Sequence, residues 1–182
     1  MTRLPSPRLA AVLLTLFAVA STWAQPGLLV VTSDYESGSL AYLAPGSLAP
    51  QVDLLLINSD AVARYHDGLV YVLNRPPQNN VLVIDPAAPR SPRRNFSTGD
   101  GSNPQDIVFT GPGKAYVSRY EMPSLLVVDP RNGSVLGEVD LSPFADADGI
   151  PEASDMALIG TRLYVACQRL DRNGSWGPAE GA

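Results

Sequence analysis

The sequence is poor in the residues on which much catalytic and metal chemistry depends, since it contains one cysteine and one histidine. With Cys167 alone, no intrachain disulfide can form, and its surroundings in "YVAC" predict a small buried hydrophobe rather than a catalytic thiol. The sequence also has no Gly-rich phosphate loop, no Cys/His cluster and no Ser-His-Asp arrangement that His66 could complete. These absences argue against the enzyme classes that rely on such motifs.

Apolar runs long enough to cross a membrane are also missing. A run of twelve residues at positions 9–20 follows Arg3 and Arg8, and "TWA" places small residues just before Gln25. This order predicts a secretory signal peptide over residues 1–24, because a membrane span needs about 20 apolar residues. An uncleaved anchor is the alternative, whereas a lipoprotein signal would need a cysteine after the run. We therefore expect an exported protein of the periplasm, the cell surface or the medium, with no membrane span after cleavage.

Positive charge is in short supply as well. The formal net charge is −5, and removal of Arg3 and Arg8 with the signal peptide would lower it by two more. Proteins that bind nucleic acid do so largely by neutralising phosphates with Lys and Arg. The composition therefore argues against a nucleic-acid partner and predicts a solvated acidic surface.

Helical periodicity is absent, and a repeat is present in its place. The 17 prolines and 15 glycines are spread among short apolar runs, which favours turns joining short strands. Aligning Val72, Val117 and Val165 brings four such strands per copy into register. The repeat units span residues 28–66, 69–111 and 114–160, and the first strand of another unit spans residues 162–169.

Four antiparallel strands in each repeat unit are typical of the blade of a β-propeller. The predicted fold is therefore all-β, with residues 25–182 forming about three and a half four-stranded blades, an incomplete ring. A chain of this kind is expected to be the first half of a larger propeller, with a self-closing pair of halves as the alternative. A β-sandwich is the rival fold, although sandwiches do not normally repeat their sequence. An open ring is expected to expose a strand edge and apolar sheet surface.

The repeats resemble the YVTN-type β-propeller repeats of exported bacterial proteins. The resemblance rests on "VYVLN", "AYVSRY" and "LYVA", on "VLVIDP" and "LLVVDP", and on "GSNPQDIVF" leading back into "AYV". It covers nearly all of residues 26–170 and is weakest in the first unit, where "LLVVTSD" lacks the Tyr. It implies a protein of the envelope or cell surface that binds rather than catalyses.

Long polar connections are predicted on one face of the propeller. The loops that follow the V-Y-V strands and those that lead into the innermost strands share this face, because each antiparallel strand reverses direction. The opposite face is expected to carry only short turns such as "HDG", "GPG" and "DPRNG". Binding sites commonly lie on long loops held by a rigid scaffold, so this rim is the predicted binding surface.

Charged residues recur on that rim. Three aspartates are predicted to occupy equivalent places at the start of the innermost strands and to converge near the central channel: Asp60, Asp106 and Asp155. They either cap their own turns or form a ring of carboxylates that binds a cation or a polar ligand. Three arginines recur near the ends of the V-Y-V strands on this rim: Arg75, Arg119 and Arg169. They could neutralise those carboxylates or bind an anion. Tyr120, which follows Arg119, is a further candidate for binding on the rim.

The longest predicted rim loop, "DLSPFADADGIPEASD", is rich in carboxylates around Gly149. Calcium takes six to eight oxygen ligands, often from closely spaced acidic residues near a glycine. Asp146, Asp148 and Glu152 are the candidate calcium ligands, although the spacing is not that of an EF-hand. The alternative is a solvated loop in which Asp and Gly simply make turns.

The sequence favours an exported binding or scaffold module that uses the rim to bind a protein partner or a small molecule. The alternative function is a metal-dependent propeller hydrolase of the lactonase type, which would need ligands from most blades around one axial cation. One Asp per blade and no axial His argue against that alternative without excluding it.

Overall fold

The computed structural model describes residues 27–179, which form thirteen β-strands and one short 3-10 helix, Ser142–Phe144. The predicted signal peptide, residues 1–24, lies outside the described residues, and export stays a prediction. The strands are β1 Leu28–Ser33, β2 Gly38–Leu43, β3 Leu56–Ile57, β4 Val62–His66, β5 Leu69–Asn74, β6 Asn80–Ile84, β7 Arg94–Ser97, β8 Pro104–Gly111, β9 Lys114–Arg119, β10 Ser124–Asp129, β11 Ser134–Asp140, β12 Ala153–Ile159 and β13 Arg162–Cys167. No helix in this part of the chain reaches the length and apolarity of a membrane span.

The strands form four antiparallel sheets in chain order. Sheet I contains β1–β3, sheet II contains β4–β7, sheet III contains β8–β11 and sheet IV contains β12–β13. Every sheet is a simple meander, in which each strand pairs with its neighbour along the chain. The strand that ends a sequence repeat begins the next sheet, so the sheets are offset by one strand from the repeat units.

The V-Y-V strands β5 and β9 lie inside their sheets because their β-branched and aromatic residues suit a pleated surface that is covered on both faces. In β5, Val70 through Leu73 are all at most 6% exposed. Tight turns with residues in the left-handed region join the strands, as at Asp67 (φ 46°) and Gly68 (φ 79°) between β4 and β5. Gly133, with φ 78°, makes the turn between β10 and β11.

The hydrophobic core lies between successive sheets rather than within one layer. Tyr71 and Val83 of sheet II pack against Val117 and Val128 of sheet III in the largest cluster of buried residues. A second cluster joins sheet I to the other face of sheet II, and a third joins sheet III to sheet IV. Four-stranded meanders that follow one another along the chain and pack face to face are the blades of a β-propeller. The fold is therefore a partial propeller, as predicted, and its sheets do not close into a ring within residues 27–179.

Two connections differ from the prediction. The face opposite the rim was expected to carry only short turns, but residues 44–55 and 85–93 form long connections there. Of the apolar run "QVDLLLIN" in the first repeat unit, only Leu56 and Ile57 are assigned to β3. Asp53 adopts φ 51°, which interrupts an extended conformation. On the N-terminal side of Asp53, the chain pairs with β2 through an isolated bridge between Tyr42 and Gln51.

Candidate functional site

The rim consists of the connections that leave the same end of the antiparallel sheets: residues 34–37, 58–61, 75–79, 98–103, 120–123, 141–152 and 168–179. Three of its aromatic side chains are exposed: Tyr35 by 97%, Phe144 by 60% and Trp176 by 55%. Exposed aromatic side chains are enriched where proteins bind one another. The rim therefore combines long loops with the residue type that most often anchors a ligand.

Tyr35 stands on a turn that its neighbours hold rigidly. The Asp34 carboxylate accepts hydrogen bonds from the amides of Glu36 (2.9 Å) and Ser37 (2.6 Å). These backbone bonds lower the pKa of Asp34 below its ordinary value. Tyr35 itself adopts φ 73°, which is uncommon for a residue with a Cβ. The turn thus presents a tyrosine ring to solvent from a fixed backbone.

A polar arrangement on the rim surrounds Arg172, and we name it the Arg172 cluster. Its guanidinium forms ion pairs with Glu121, Asp148 and Glu152. It also lies over two aromatic rings, 5.6 Å from the centroid of Tyr120 and 5.5 Å from that of Trp176. These six residues come from three separate rim connections, so the cluster ties residues 120–123, 141–152 and 168–179 together.

Burial strengthens this cluster. Glu152 is fully buried and accepts a further hydrogen bond from the amide of Leu170 at 3.0 Å. Burial opposes the charge on Arg172, but hydrogen bonds to Glu121 and Glu152 outweigh it and raise the pKa of the guanidinium above its ordinary value. Burial, followed by the charge of Glu152, raises the pKa of Tyr120. The cluster is therefore a fixed ion-pair network and not a set of solvated surface charges.

A second polar network joins the innermost strands of three sheets. Asp106 of β8 is 2% exposed, and its carboxylate accepts hydrogen bonds from Arg64 Nε of β4 at 2.8 Å and from the amide of Met156 of β12 at 2.9 Å. Asp155 lies 3.8 Å from Arg64 Nη2, and its side chain is 87% exposed. Asp106 therefore links sheets II, III and IV, whereas Asp155 is left free to contact solvent.

The predicted ring of three equivalent aspartates is wrong in one member. Ala63, Ile107 and Met156 pair with Val72, Val117 and Val165, so the residue before each of them holds the equivalent position. That residue is aspartate in sheets III and IV, but it is Val62 in sheet II. Asp60 lies two residues before Val62, in the rim connection that leads into β4, where it forms an ion pair with Arg75. Counting back from the V-Y-V strand does not find the equivalent residue in every sheet, because a β-bulge in β8 places Ile107 ten residues before Val117, whereas Ala63 and Met156 lie nine residues before their partners.

The predicted rim arginines lie in three different environments. Arg75 neutralises Asp60, as one of the two predicted alternatives required. Arg119 is 5% exposed and donates hydrogen bonds to Ser124 and to the carbonyl of Thr98, which makes it part of the core of sheet III. It also pairs with Glu138 at 3.0 Å. Arg169 adopts φ 51°, and its carbonyl accepts a hydrogen bond from the amide of Ala179 at 2.8 Å.

The candidate calcium loop makes turns and contacts Arg172. The carboxylates of Asp146 and Asp148 accept hydrogen bonds from amides two residues further on, at 3.0 and 2.7 Å. Glu152 points at the Arg172 guanidinium. Within residues 27–179, no group of three or more His, Cys, Asp or Glu side chains is arranged to hold a metal ion. Calcium binding here stays a prediction, and the cation that Asp148 and Glu152 contact in the structure is Arg172.

Sequence reasoning did not single out Arg64, Glu121, Arg172 or Trp176. Arg64 could have been noticed as a charged residue within the innermost strand "AVARY". No local pattern indicates that Arg172 meets Glu121 and Glu152, because these residues come from different connections. Tyr120 was predicted on the rim, and its hydroxyl donates to Gln168 Oε1 at 3.1 Å.

Comparison with known proteins gives no family. No protein-family model matches the sequence, and no curated protein matches it significantly. Among solved structures, the chain is similar to one from a study of two prolyl endopeptidases, with 15% identity and a TM-score of 0.49 over 75% of this chain and 22% of that chain. It is also similar to the Myxococcus xanthus glutaminyl cyclase, with 16% identity and a TM-score of 0.45 over 75% of this chain and 66% of the cyclase chain. The chain thus spans part of each structure, and the sheets themselves carry the propeller assignment.

Proposed function

We propose that the protein is an exported binding module of the YVTN repeat type, which binds a protein partner or a small molecule through its rim. The observation that carries this proposal is the Arg172 cluster, which joins three rim connections through ion pairs and two aromatic rings. Rigid loops lose less conformational entropy on binding than mobile ones. A rim built in this way is suited to recognition.

The exposed aromatic residues support the same function. Tyr35 projects from a turn of the rim and Phe144 from its short 3-10 helix, and aromatic side chains supply large contact areas with few rotatable bonds. The exposed carboxylate of Asp155 and the partly exposed Arg64 add charge of both signs at the innermost strands. This combination favours a ligand with polar groups and an apolar surface over a purely ionic one.

Site-specific photo-crosslinking in the native host tests the proposal. A photoreactive phenylalanine analogue replaces Tyr35 on the rim in one variant and Leu48 on the opposite face in the control. These positions are matched, since Tyr35 is 97% and Leu48 is 98% exposed. We expect a discrete adduct only from position 35. Adducts only from position 48, or equal adducts from both, would contradict binding through the rim.

A further inference from the structure

The sequence Arg-Asn-Gly-Ser occurs twice in the chain, at residues 131–134 and at residues 172–175. In an Asn-Gly pair the asparagine side chain is open to attack by the next backbone nitrogen, because glycine has no Cβ to hinder the approach. Both asparagines, Asn132 and Asn173, are exposed. Because the two segments share their local sequence and their exposure, a difference in reactivity between them has to come from the fold.

The fold holds the first segment in a fixed turn. This turn joins β10 to β11, and the strand pair of Asp129 and Ser134 closes it. The amide of Gly133 donates to the carbonyl of Asp129 at 2.8 Å, and the side-chain oxygen of Asn132 accepts a hydrogen bond from the amide of Ser134 at 2.9 Å. Gly133 also packs so closely on Phe96 of sheet II that one added carbon would lie 2.5 Å from it. Attack by the Gly133 nitrogen would therefore break two hydrogen bonds and move a backbone that has no room to move.

The second segment is held less tightly. The amide of Gly174 lies 3.3 Å from the carbonyl of Asp171, and this carbonyl also accepts a hydrogen bond from the amide of Trp176 at 3.0 Å. Loss of the Gly174 bond would thus leave the loop closed. Among the described residues the side chain of Asn173 has no hydrogen-bond partner. The nearest neighbour of a carbon added at Gly174 is the carboxylate of Asp171, the far end of a flexible side chain.

We propose that Asn173 is a site of spontaneous deamidation and that the fold protects Asn132 from the same reaction. The Gly174 nitrogen loses its proton and forms a bond to Cγ of Asn173, and the side-chain nitrogen leaves as ammonia. Water then opens the resulting succinimide at either carbonyl, which gives aspartate or isoaspartate. Neither step oxidises or reduces the protein, and water is the co-reactant.

The products would change the charge and the backbone of the rim. Asn173 lines a small cavity together with Arg172 and the carboxylates of Asp146, Asp148 and Asp171. Aspartate at position 173 would add a fourth carboxylate to this cavity, and isoaspartate would also lengthen the main chain by one carbon beside Arg172. The modification would therefore alter the surface that we propose binds a partner, although the reaction itself does not depend on that function.

Peptide mapping of the full 182-residue chain measures both sites in one experiment. The folded protein is incubated in mildly alkaline buffer and digested at acidic pH, and mass spectrometry detects the replacement of each amide by an acid. We expect Asn173 to react about tenfold faster than Asn132 or more, because Asn132 reacts only when its turn opens locally. In urea, where neither turn is formed, the two rates should become similar.

Two variants control for the chemistry of the site. Gly174→Ala should slow the reaction at Asn173 about tenfold, because a methyl group hinders the attacking nitrogen. Asn173→Gln should give no product at this position and should leave the rate at Asn132 unchanged. Circular dichroism shows whether each variant is folded.

The proposal fails if the folded protein reacts equally at both sites, or faster at Asn132. It also fails if the difference between the sites persists in urea, because residues outside the shared segment would then set the rates. Reaction at Asn173 that is as fast in folded Gly174→Ala as in the wild type would exclude attack by the Gly174 nitrogen.

Discussion

The contacts of Arg172 predict a large effect for a single substitution. In Arg172→Ala, the fully buried carboxylate of Glu152 would lose its ion pair, and removing one partner of a buried pair costs about 3 kcal/mol or more. We expect this loss of unfolding free energy in urea denaturation. Hydrogen exchange should also rise in residues 120–123 and 141–152. Arg90→Ala removes an exposed arginine and is the control; equal effects of the two substitutions would contradict the role assigned to the cluster.

The pair of Asp129 and Arg131 predicts a pH dependence. The hydrogen bond from Arg131 lowers the pKa of Asp129 below its ordinary value. A carboxylate with a lowered pKa stabilises the folded state above its unfolded pKa, and this contribution is lost as pH falls through the folded pKa. The melting temperature of the wild type should therefore exceed that of Arg131→Ala at neutral pH, and the difference should shrink below about pH 4. A difference that is constant down to about pH 2 would show that the ion pair has no such effect.

At the scale of the elements, the turn between β10 and β11 determines how closely sheets II and III approach. Gly133 has φ 78°, and a Cβ added there would lie 2.5 Å from the Cβ of Phe96 in β7. We expect Gly133→Ala to cost about 3 kcal/mol, because the unfavourable φ adds to overpacking against another sheet.

Gly46→Ala is the matched control for this turn. Gly46 has a similar φ of 73° but nothing within 4 Å of the added Cβ, so it should cost only about 1 kcal/mol. Urea denaturation of both variants gives the comparison. Equal costs would mean that the turn conformation alone matters and that the contact with Phe96 adds nothing.

The β-bulges show why repeat counting aligned the strands but not every residue within them. Val72, Val117 and Val165 do hold equivalent positions in β5, β9 and β13. The bulge in β8 adds one residue between Ile107 and Val117 relative to the same interval in the other two sheets, so a fixed count back from these landmarks does not reach equivalent residues. A bulge leaves a weak local sequence signal, since it is set by how the strand bends against its partner.

At the scale of the whole molecule, export is the property that the described residues do not address. Secretion is expected to remove residues 1–24 and to leave Gln25 as the new N-terminus, because a positive start, an apolar run and small residues occur in that order. Mass spectrometry of the exported protein measures this directly. Ala24→Arg should block cleavage at that site; an intact Met1 on the exported wild type would contradict the signal peptide.

The sequence by itself determined the class of fold, the repeat and the location of the rim. These follow from local properties: β-branched residues in short runs, turn residues between them, and the reversal of direction at each antiparallel turn. The V-Y-V strands were therefore found at their observed places in β5, β9 and β13. The long connection 44–55 was missed, because alternating apolar residues can fail to pair when one residue, here Asp53, leaves the extended region.

Only the tertiary structure decided which charges meet. Arg64 contacts Asp106, and Arg172 contacts Glu121 and Glu152, across separations of 42, 51 and 20 residues along the chain. Local periodicity carries no information on such pairs, because they depend on how one sheet is rotated and packed against the next. Sheet packing also decides the cleft between sheets III and IV, beside β13. Its apolar residues are of the same types as those in the other strands, and only their partial burial in the structure distinguishes them. Sequence pattern specifies what each strand can bury, and sheet packing decides what each strand actually contacts.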